Sequence, residues 1–391
     1  MTPAARIAAA ASVLDQILTG EPAEKALTGW ARRSRFAGSG DRSAIRDLVF
    51  DALRCRRSLA ARGGAMTGRG LMLGLMRRDG QDPDTHFTGQ GHALPPLDAD
   101  ERAAGRDPAP GPEACDIPDW LWPAFQDSLG AQAEPVAQTL QTRAPVMLRV
   151  NLRRMTLDAA QAALAAQGIE TEPDPVASTA LRVRDGARQV ARSEAYLSGQ
   201  VELQDGSSQA IADELRLPGH GKILDYCAGG GGKALAMAAR TDARILAHDA
   251  QPARMKDLPA RAARAGVTIT QIAQAQLPAE APFDLVLCDA PCSGSGAWRR
   301  APEGKWALTQ ERLTELTGIQ RMILSDAARL VAPDGVLAYA TCSVLRAENE
   351  DSVAAFLAGH PDWTLIASRR WEPGPSGDGF FLATLQRGGA T

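Results

Sequence analysis

The chain has 391 residues, 45% of them hydrophobic and 23% charged, with a net charge of −3. This is an ordinary soluble composition, long enough for two or three domains and more than one core. No run of about 18 apolar residues offers a transmembrane helix, and the start Met1-Thr-Pro-Ala-Ala-Arg6 lacks the basic-then-apolar pattern of a signal peptide. Cys55, Cys115, Cys227, Cys288, Cys292 and Cys342 form no disulfide framework and no CxxC, and no histidine lies near Cys288 or Cys292. A cytoplasmic protein with free thiols, no membrane partner and no zinc or other metal is therefore expected.

The small net charge conceals an asymmetry. Residues 1–78 carry fourteen Lys/Arg against six Asp/Glu, and residues 82–119 carry nine Asp/Glu against two Arg. The basic first lobe points to a polyanion, RNA or DNA, more than to a plainly solvated surface. Residues 4–62 read as helices. Ala8, Ala11, Val13, Leu14, Ile17 and Leu18 form an apolar stripe ended at Gly20. Asp41 is the expected cap of a second helix carrying Ile45, Leu48, Val49, Ala52 and Leu53, with Arg42, Arg46, Arg54, Arg56 and Arg57 on its other face. Residues 79–118, rich in Pro, Gly and Asp, read as a linker or irregular excursion, with a short helix following at Trp120–Leu129. Residues 145–205 alternate strand-like Val146–Asn151 and Ala180–Val183 with a helix at Leu157–Gln167, a small α+β subdomain.

From Lys222 onward strands and helices alternate: strands at Ile223–Tyr226, Ile245–Asp249, Leu285–Cys288, Val336–Ala340 and Phe380–Leu385, and a long helix at Thr309–Leu330. Near-continuous apolar strands of this kind belong to a doubly wound sheet covered on both faces. Three segments follow: a helical domain with its linker at 1–135, the α+β subdomain at 136–215, and a Rossmann-like α/β domain at 216–391.

Two thiols stand where such a sheet places reactive groups, outside the carboxyl ends of its strands. Cys292 follows Phe283-Asp-Leu-Val-Leu-Cys-Asp-Ala-Pro, Cys342 follows Gly335-Val-Leu-Ala-Tyr-Ala-Thr, and each is followed by Ser. Cys55, Cys115 and Cys288 read instead as small buried hydrophobes. The loop Asp225-Tyr-Cys-Ala-Gly-Gly-Gly-Gly-Lys233 joins the first core strand to its helix, and Asp249 ends the second strand, where an acid commonly holds ribose hydroxyls. An adenosyl ligand is expected; the glycine spacing alone also admits a nicotinamide cofactor. Lys233, at the same edge, can favour a thiolate or serve only as a salt-bridge partner. Arg299, Arg300, Lys305 and Trp306 suit RNA phosphate contact and base stacking, with a core anchor the equal alternative for Trp306.

Asp289-Ala-Pro-Cys-Ser-Gly-Ser-Gly, Arg299-Arg-Ala-Pro-Glu-Gly-Lys-Trp306, Tyr339-Ala-Thr-Cys-Ser-Val, Asp378-Gly-Phe-Phe381 and Gln204-Asp-Gly-Ser-Ser-Gln209 resemble the RNA 5-methylcytosine methyltransferases, and among them the Sun/RsmB type. The resemblance reaches nearly the whole chain and is weakest at 80–140. It implies a NusB-like RNA-binding bundle at the N-terminus, S-adenosylmethionine as methyl donor, ribosomal RNA as the partner and a monomer. It assigns nucleophilic attack on cytosine carbon 6 to Cys342 and product release to Cys292. Asp289 falls beside the cytosine ring and the reacting methyl group, and Cys227, Ala228, Gly229, Gly230, Gly231, Gly232, Lys233 and Asp249 fall at S-adenosylmethionine. Two departures stand out. Gly230 occupies a position usually Pro, and Gln274 aligns with an acid that holds the adenine amino group; a Gln carbonyl can accept the same hydrogen bond without the charge. A tRNA substrate, a non-catalytic RNA-binding assembly factor and a nicotinamide dehydrogenase are the competing readings; the last lacks a hydride-site constellation.

Overall fold

The computed structural model describes residues 1–388, so residues 389–391 of the expected third domain lie outside the described residues. The chain gathers into two compact units in place of three segments: Met1–Arg143 with Trp298–Leu308, and Ala144–Ala297 with Thr309–Thr391.

The first unit is helical. Pro3–Leu18, Ala23–Arg33, Ser39–Arg54, Arg56–Gly63 and Gly68–Arg78 enclose Leu14, Ile45, Val49, Leu53, Leu59, Leu71 and Met72, all at or near zero exposure. The last helix escaped the periodicity reading because its glycines are poor helix formers. They are required for packing: a Cβ on Gly68 would meet the Ala11 carbonyl oxygen at 1.9 Å, and one on Gly74 would meet that of Leu59 at 2.0 Å. Asp41 is not the expected cap. The helix starts at Ser39 behind Gly38, and Asp41 instead accepts from the Met1 ammonium at 3.2 Å and from Arg6 at 2.8 Å.

The 79–118 stretch is an ordered excursion, with Phe87 and Leu97 entering the helical core. Its Asp116, at φ 53°, accepts from the Arg57 and Ser58 amides at 2.7 and 3.0 Å. It thereby satisfies the orphan donors that open Arg56–Gly63.

The second unit holds two sheets. In the smaller, β1 (Met147–Val150), β2 (Glu170–Pro173), β3 (Ala180–Asp185) and β4 (Val201–Leu203) pair antiparallel in the order β2-β3-β1-β4. The larger comprises β5 (Lys222–Asp225), β6 (Arg244–Ala247), β7 (Ile269–Gln271), β8 (Phe283–Asp289), β9 (Val331–Thr341), β10 (Trp363–Trp371) and β11 (Phe380–Arg387). Its order is β10-β11-β9-β8-β5-β6-β7, with β5 to β9 parallel and β11 and β10 antiparallel.

Alternation along the strands splits the buried residues between two faces. Leu224, Val286, Cys288, Leu337 and Tyr339 pack with the helices Gln310–Ala328 and Glu350–Gly359. Ile223, Leu285, Leu287, Ala338 and Ala340 pack with the helices Gly206–Glu214 and Gly232–Ala238. Met147, Ala177 and Ala180 of the small-sheet region join this second core, which is why residues expected in separate domains form one body.

Candidate active site

The register of the sheet builds the site. β8 and β9 are neighbours, with Asp289 opposite Ala340 and the Ala290 amide donating to the Ala340 carbonyl at 2.9 Å. The chain leaves both strands at the same edge, and the two cysteines meet just beyond it, Sγ to Sγ at 3.3 Å. Both are half-buried and neither is in a disulfide. The hydrogen bond with Cys342, then burial, pushes the Cys292 thiol well above its usual range, and the Glu348 charge adds to this.

Glu348 is fully buried beneath the pair. Its carboxylate accepts from the Ser293 amide at 2.7 Å, from the Ser293 and Ser343 hydroxyls, and from Gln320 Nε2 at 3.1 Å. The two serines that follow the two cysteines thus share one acceptor. Asn349, also buried, donates to the Ser343 carbonyl at 2.9 Å and accepts from Thr341. None of Glu348, Asn349 or Gln320 was singled out from the sequence; the Ser after each Cys was the only local signal.

On the other side of the pair stands Lys233. It reaches from the start of the Gly232–Ala238 helix to Asp289 Oδ2 at 2.7 Å, with its ammonium 5.0 Å from the Phe380 ring centroid. Burial works against its charge, but Asp289 and, less strongly, Cys342 more than offset that and raise its pKa. Asp225, at the end of β5, is fully buried and neither of its oxygens makes a full hydrogen bond. Burial and the neighbouring Asp289 charge push it up to about 7, against pulls from Lys233 and the Ala234 amide.

The glycine loop is held in an open turn. Gly229 and Gly231 have φ of 52° and 79°, and a Cβ on Gly231 would strike Leu258 at 2.2 Å. The Ala228 amide donates to the His248 carbonyl at 2.8 Å, Cys227 is half-buried, and Gly230 is exposed with its carbonyl bonded by Arg261. Asp249 braces the loop: it accepts from the Gly229 amide at 2.9 Å, the Gln251 amide at 2.8 Å and Arg254 at 3.1 Å. A carboxylate offers about four acceptor positions, so capacity remains for a ligand hydroxyl. Gln274 lies beyond β7 at the surface and bonds the Tyr226 hydroxyl. The orphaned Asp225 carboxylate, the braced Asp249 and the exposed Gly230 of the glycine loop suit a ligand with an ammonium group and vicinal hydroxyls.

The expected RNA contacts at 299–306 are corrected by the structure. Arg299 and Lys305 are buried in the helical unit, at 2% and 1% exposure. The Arg299 carbonyl accepts from Arg54 at 2.7 Å. Lys305 Nζ donates to the Arg54 carbonyl at 3.0 Å, and Trp306 Nε1 to the Leu53 carbonyl at 2.7 Å. These are the orphan carbonyls that end Ser39–Arg54, and a cation there also meets the negative end of the helix dipole. Trp306 is therefore the core anchor, with Arg56 stacked 4.6 Å from its centroid. Only Arg300 of the four remains exposed. Much of the arginine-rich helical face is likewise committed: Arg46 to Glu24, Arg54 to Asp51, Arg57 to Asp119.

A mixed seven-stranded sheet of this order, with a glycine loop and an acid at its first two strand ends, is the architecture typical of Rossmann-like methyltransferases. Residues 212–386 match the family profile described as 16S rRNA methyltransferase RsmB/F, and residues 117–190 match the ferredoxin-like domain described for RsmF/B-like methyltransferases. The chain belongs to the RsmB/F methyltransferase family. The ribosomal RNA small subunit methyltransferase B of Vibrio cholerae is 32% identical over 69% of this chain and 65% of its own length, so the chain spans a little under two thirds of that relative. The solved structure of PH0851 superposes with a TM-score of 0.78 at 22% identity, covering 99% of each chain. A methyltransferase homolog protein from Pyrococcus horikoshii superposes at 0.61 and 22% identity, covering 70% of this chain and 96% of its own. Among the described residues no helix is long and apolar enough to cross a membrane.

Proposed function

We propose that the protein transfers a methyl group from S-adenosylmethionine to carbon 5 of a cytosine in RNA, with 16S ribosomal RNA the favoured substrate, acting as a cytoplasmic monomer. The observation that carries this reading is the pair of thiols in contact at the ends of β8 and β9, with a buried lysine on one side and a buried glutamate on the other.

Carbon 5 of cytosine is a weak nucleophile, and a thiolate added at carbon 6 turns it into an enamine-like carbon. Cys342, the cysteine to which the family resemblance assigns attack, makes that addition, with the buried Lys233–Asp289 pair at the same strand edge. Asp289, held by Lys233, is placed to steady the cytosine ring at N3. A base then takes the proton from carbon 5, the carbon 6–sulfur bond breaks, and Cys292 assists this release. When bound, S-adenosylmethionine supplies an electrophilic methyl group; Cys227 to Lys233, Asp225, Asp249 and Gln274 are the residues that would hold it. The target base leaves its stack to reach the thiol.

The helical unit serves as the RNA-binding module, of NusB-like type. Its surface presents Arg32, Arg33 and Arg35 beside Phe36, which is 74% exposed, a combination that suits phosphate contact and base stacking.

Bisulfite sequencing of rRNA and tRNA from a deletion strain, complemented with wild type or Cys342→Ala, tests the reading. One rRNA cytosine should lose and regain its methyl group with wild type only. Complementation by Cys342→Ala, or a lost site in tRNA alone, would overturn the mechanism or the substrate respectively.

A further inference from the structure

The mechanism above uses Lys233, Asp289 and the two thiols and leaves the buried Glu348 without a task. Three elements converge on it: the loop after β8 through Ser293, the loop after β9 through Ser343, and the helix Gln310–Ala328 through Gln320. Backbone amides favour one direction for these bonds, although the Ser343 hydroxyl also meets that of Ser295 at 2.9 Å. The Ser295 amide donates to Ser293 Oγ at 3.2 Å, and the Leu345 amide donates to Ser343 Oγ at 3.0 Å. An amide cannot accept, so each hydroxyl is left with its own proton to give to Glu348. All four neighbours donate, the arrangement that suits a carboxylate.

We propose that Glu348 is a positioning residue for the thiol pair: it locks the two Cys-Ser loops together so that the sulfurs meet, and its buried negative charge keeps the proton of the pair on Cys292. The inference rests on the reading of Cys342 as nucleophile. Among the described residues, these charged and titratable groups face the pair. Glu348 and the Tyr339 hydroxyl couple to Cys292, and Lys233, itself paired with Asp289, couples to Cys342. Tyr339 also belongs to the clamp, donating to the Glu348 carbonyl at 2.6 Å. A negative charge on one side and a positive charge on the other give two chemically identical thiols different roles. In the ionised pair, the Cys292 S–H donates to the Cys342 sulfur, which carries the charge. No atom is gained or lost.

The test is per-cysteine alkylation of the full-length protein by iodoacetamide near pH 7.5, read by peptide mass spectrometry, because alkylation rate follows the thiolate fraction. In wild type, Cys342 should react at least about tenfold faster than Cys292. Glu348→Gln keeps the shape and one acceptor oxygen, removes the charge, and turns the oxygen that the Ser293 and Ser343 hydroxyls bond into an NH2 donor, so those hydroxyls must rotate. It should shrink that ratio by about fivefold or more and lower kcat with KM for RNA unchanged. Ser293→Ala, which removes one arm and leaves the carboxylate, should move the ratio the same way by less, and serves if Glu348→Gln does not fold. A ratio unchanged in a folded variant, or Cys292 reacting faster in wild type, overturns the proposal. The assay needs neither RNA nor methyl donor, so its failure is distinguishable from failure of the methyl-transfer reading.

Discussion

The loops after β8 and β9 carry the same two residues, Cys292-Ser293 and Cys342-Ser343, at the ends of adjacent parallel strands, yet their thiols face opposite charges. Both loops bond Glu348 through their serines, but the Glu348 charge helps push up the Cys292 thiol, while Cys342 is the sulfur that acts on Lys233. Identical chemistry on equivalent scaffolds is thus differentiated by what the second layer supplies: an acid from the stretch before Glu350–Gly359 on one sheet face, a base from the Gly232–Ala238 helix on the other.

The largest test of that difference is the pair of alanine variants. Both should lose about 10³-fold or more in turnover. Only Cys292→Ala should accumulate a covalent protein–RNA adduct, visible as a slow band on denaturing gels; a band with Cys342→Ala instead reverses the assignment. Next comes Lys233→Met, which leaves Asp289 and Asp225 facing each other without a cation. It should cost about 3 kcal/mol of unfolding free energy and about 10²-fold in kcat, measured by denaturant melts and single-turnover assays. Retained alkylation preference for Cys342 in this variant would show that Glu348 alone sets the asymmetry.

Asp225 tests how far the electrostatics of the Cys342 side extend. Its folded pKa of about 7 lies above the ordinary 3.8, so the native state binds the proton more tightly than the unfolded chain. Stability from this group is present at low pH and is lost as pH rises from about 4 to about 7. Asp225→Asn should therefore gain on wild type across that window, by up to a few kcal/mol, in thermal melts without nucleotide. A flat difference would mean that an undescribed donor already satisfies the carboxylate. Smallest is Trp306→Phe, which removes one hydrogen bond to Leu53. It should cost about 1 kcal/mol and leave the alkylation ratio unchanged, separating the stretch after the Cys292 loop from the thiol itself.

The readable parts of the site were local in sequence. The glycine loop, Asp249 and both cysteines sit at strand ends, and strand ends follow from apolar runs that the chain states openly. Glu348 was invisible because its task depends on two loops and a helix brought together by the sheet order. Arg299 and Lys305 were misread, and Trp306 was left between two readings, because basic and aromatic residues look alike whether they meet phosphate or cap a helix. β10 was missed because Thr364 to Arg369 are all exposed, so an edge strand offered no apolar alternation; the helix Gly68–Arg78 was missed because close packing demanded its glycines.

The course of the chain through Trp298–Leu308 has a practical consequence for dissecting the protein. The boundary between units is crossed three times, at 143/144, 297/298 and 308/309, so the helical unit is not an appendage that a single cut removes. Excising residues 1–143 takes away the helix end that Arg299, Lys305 and Trp306 bond, and leaves the buried Lys305 ammonium without its carbonyl partner. A stand-alone catalytic fragment therefore has to be re-surfaced along this stretch as well as trimmed, and a helical fragment ending at 143 lacks the donors that close its own third helix.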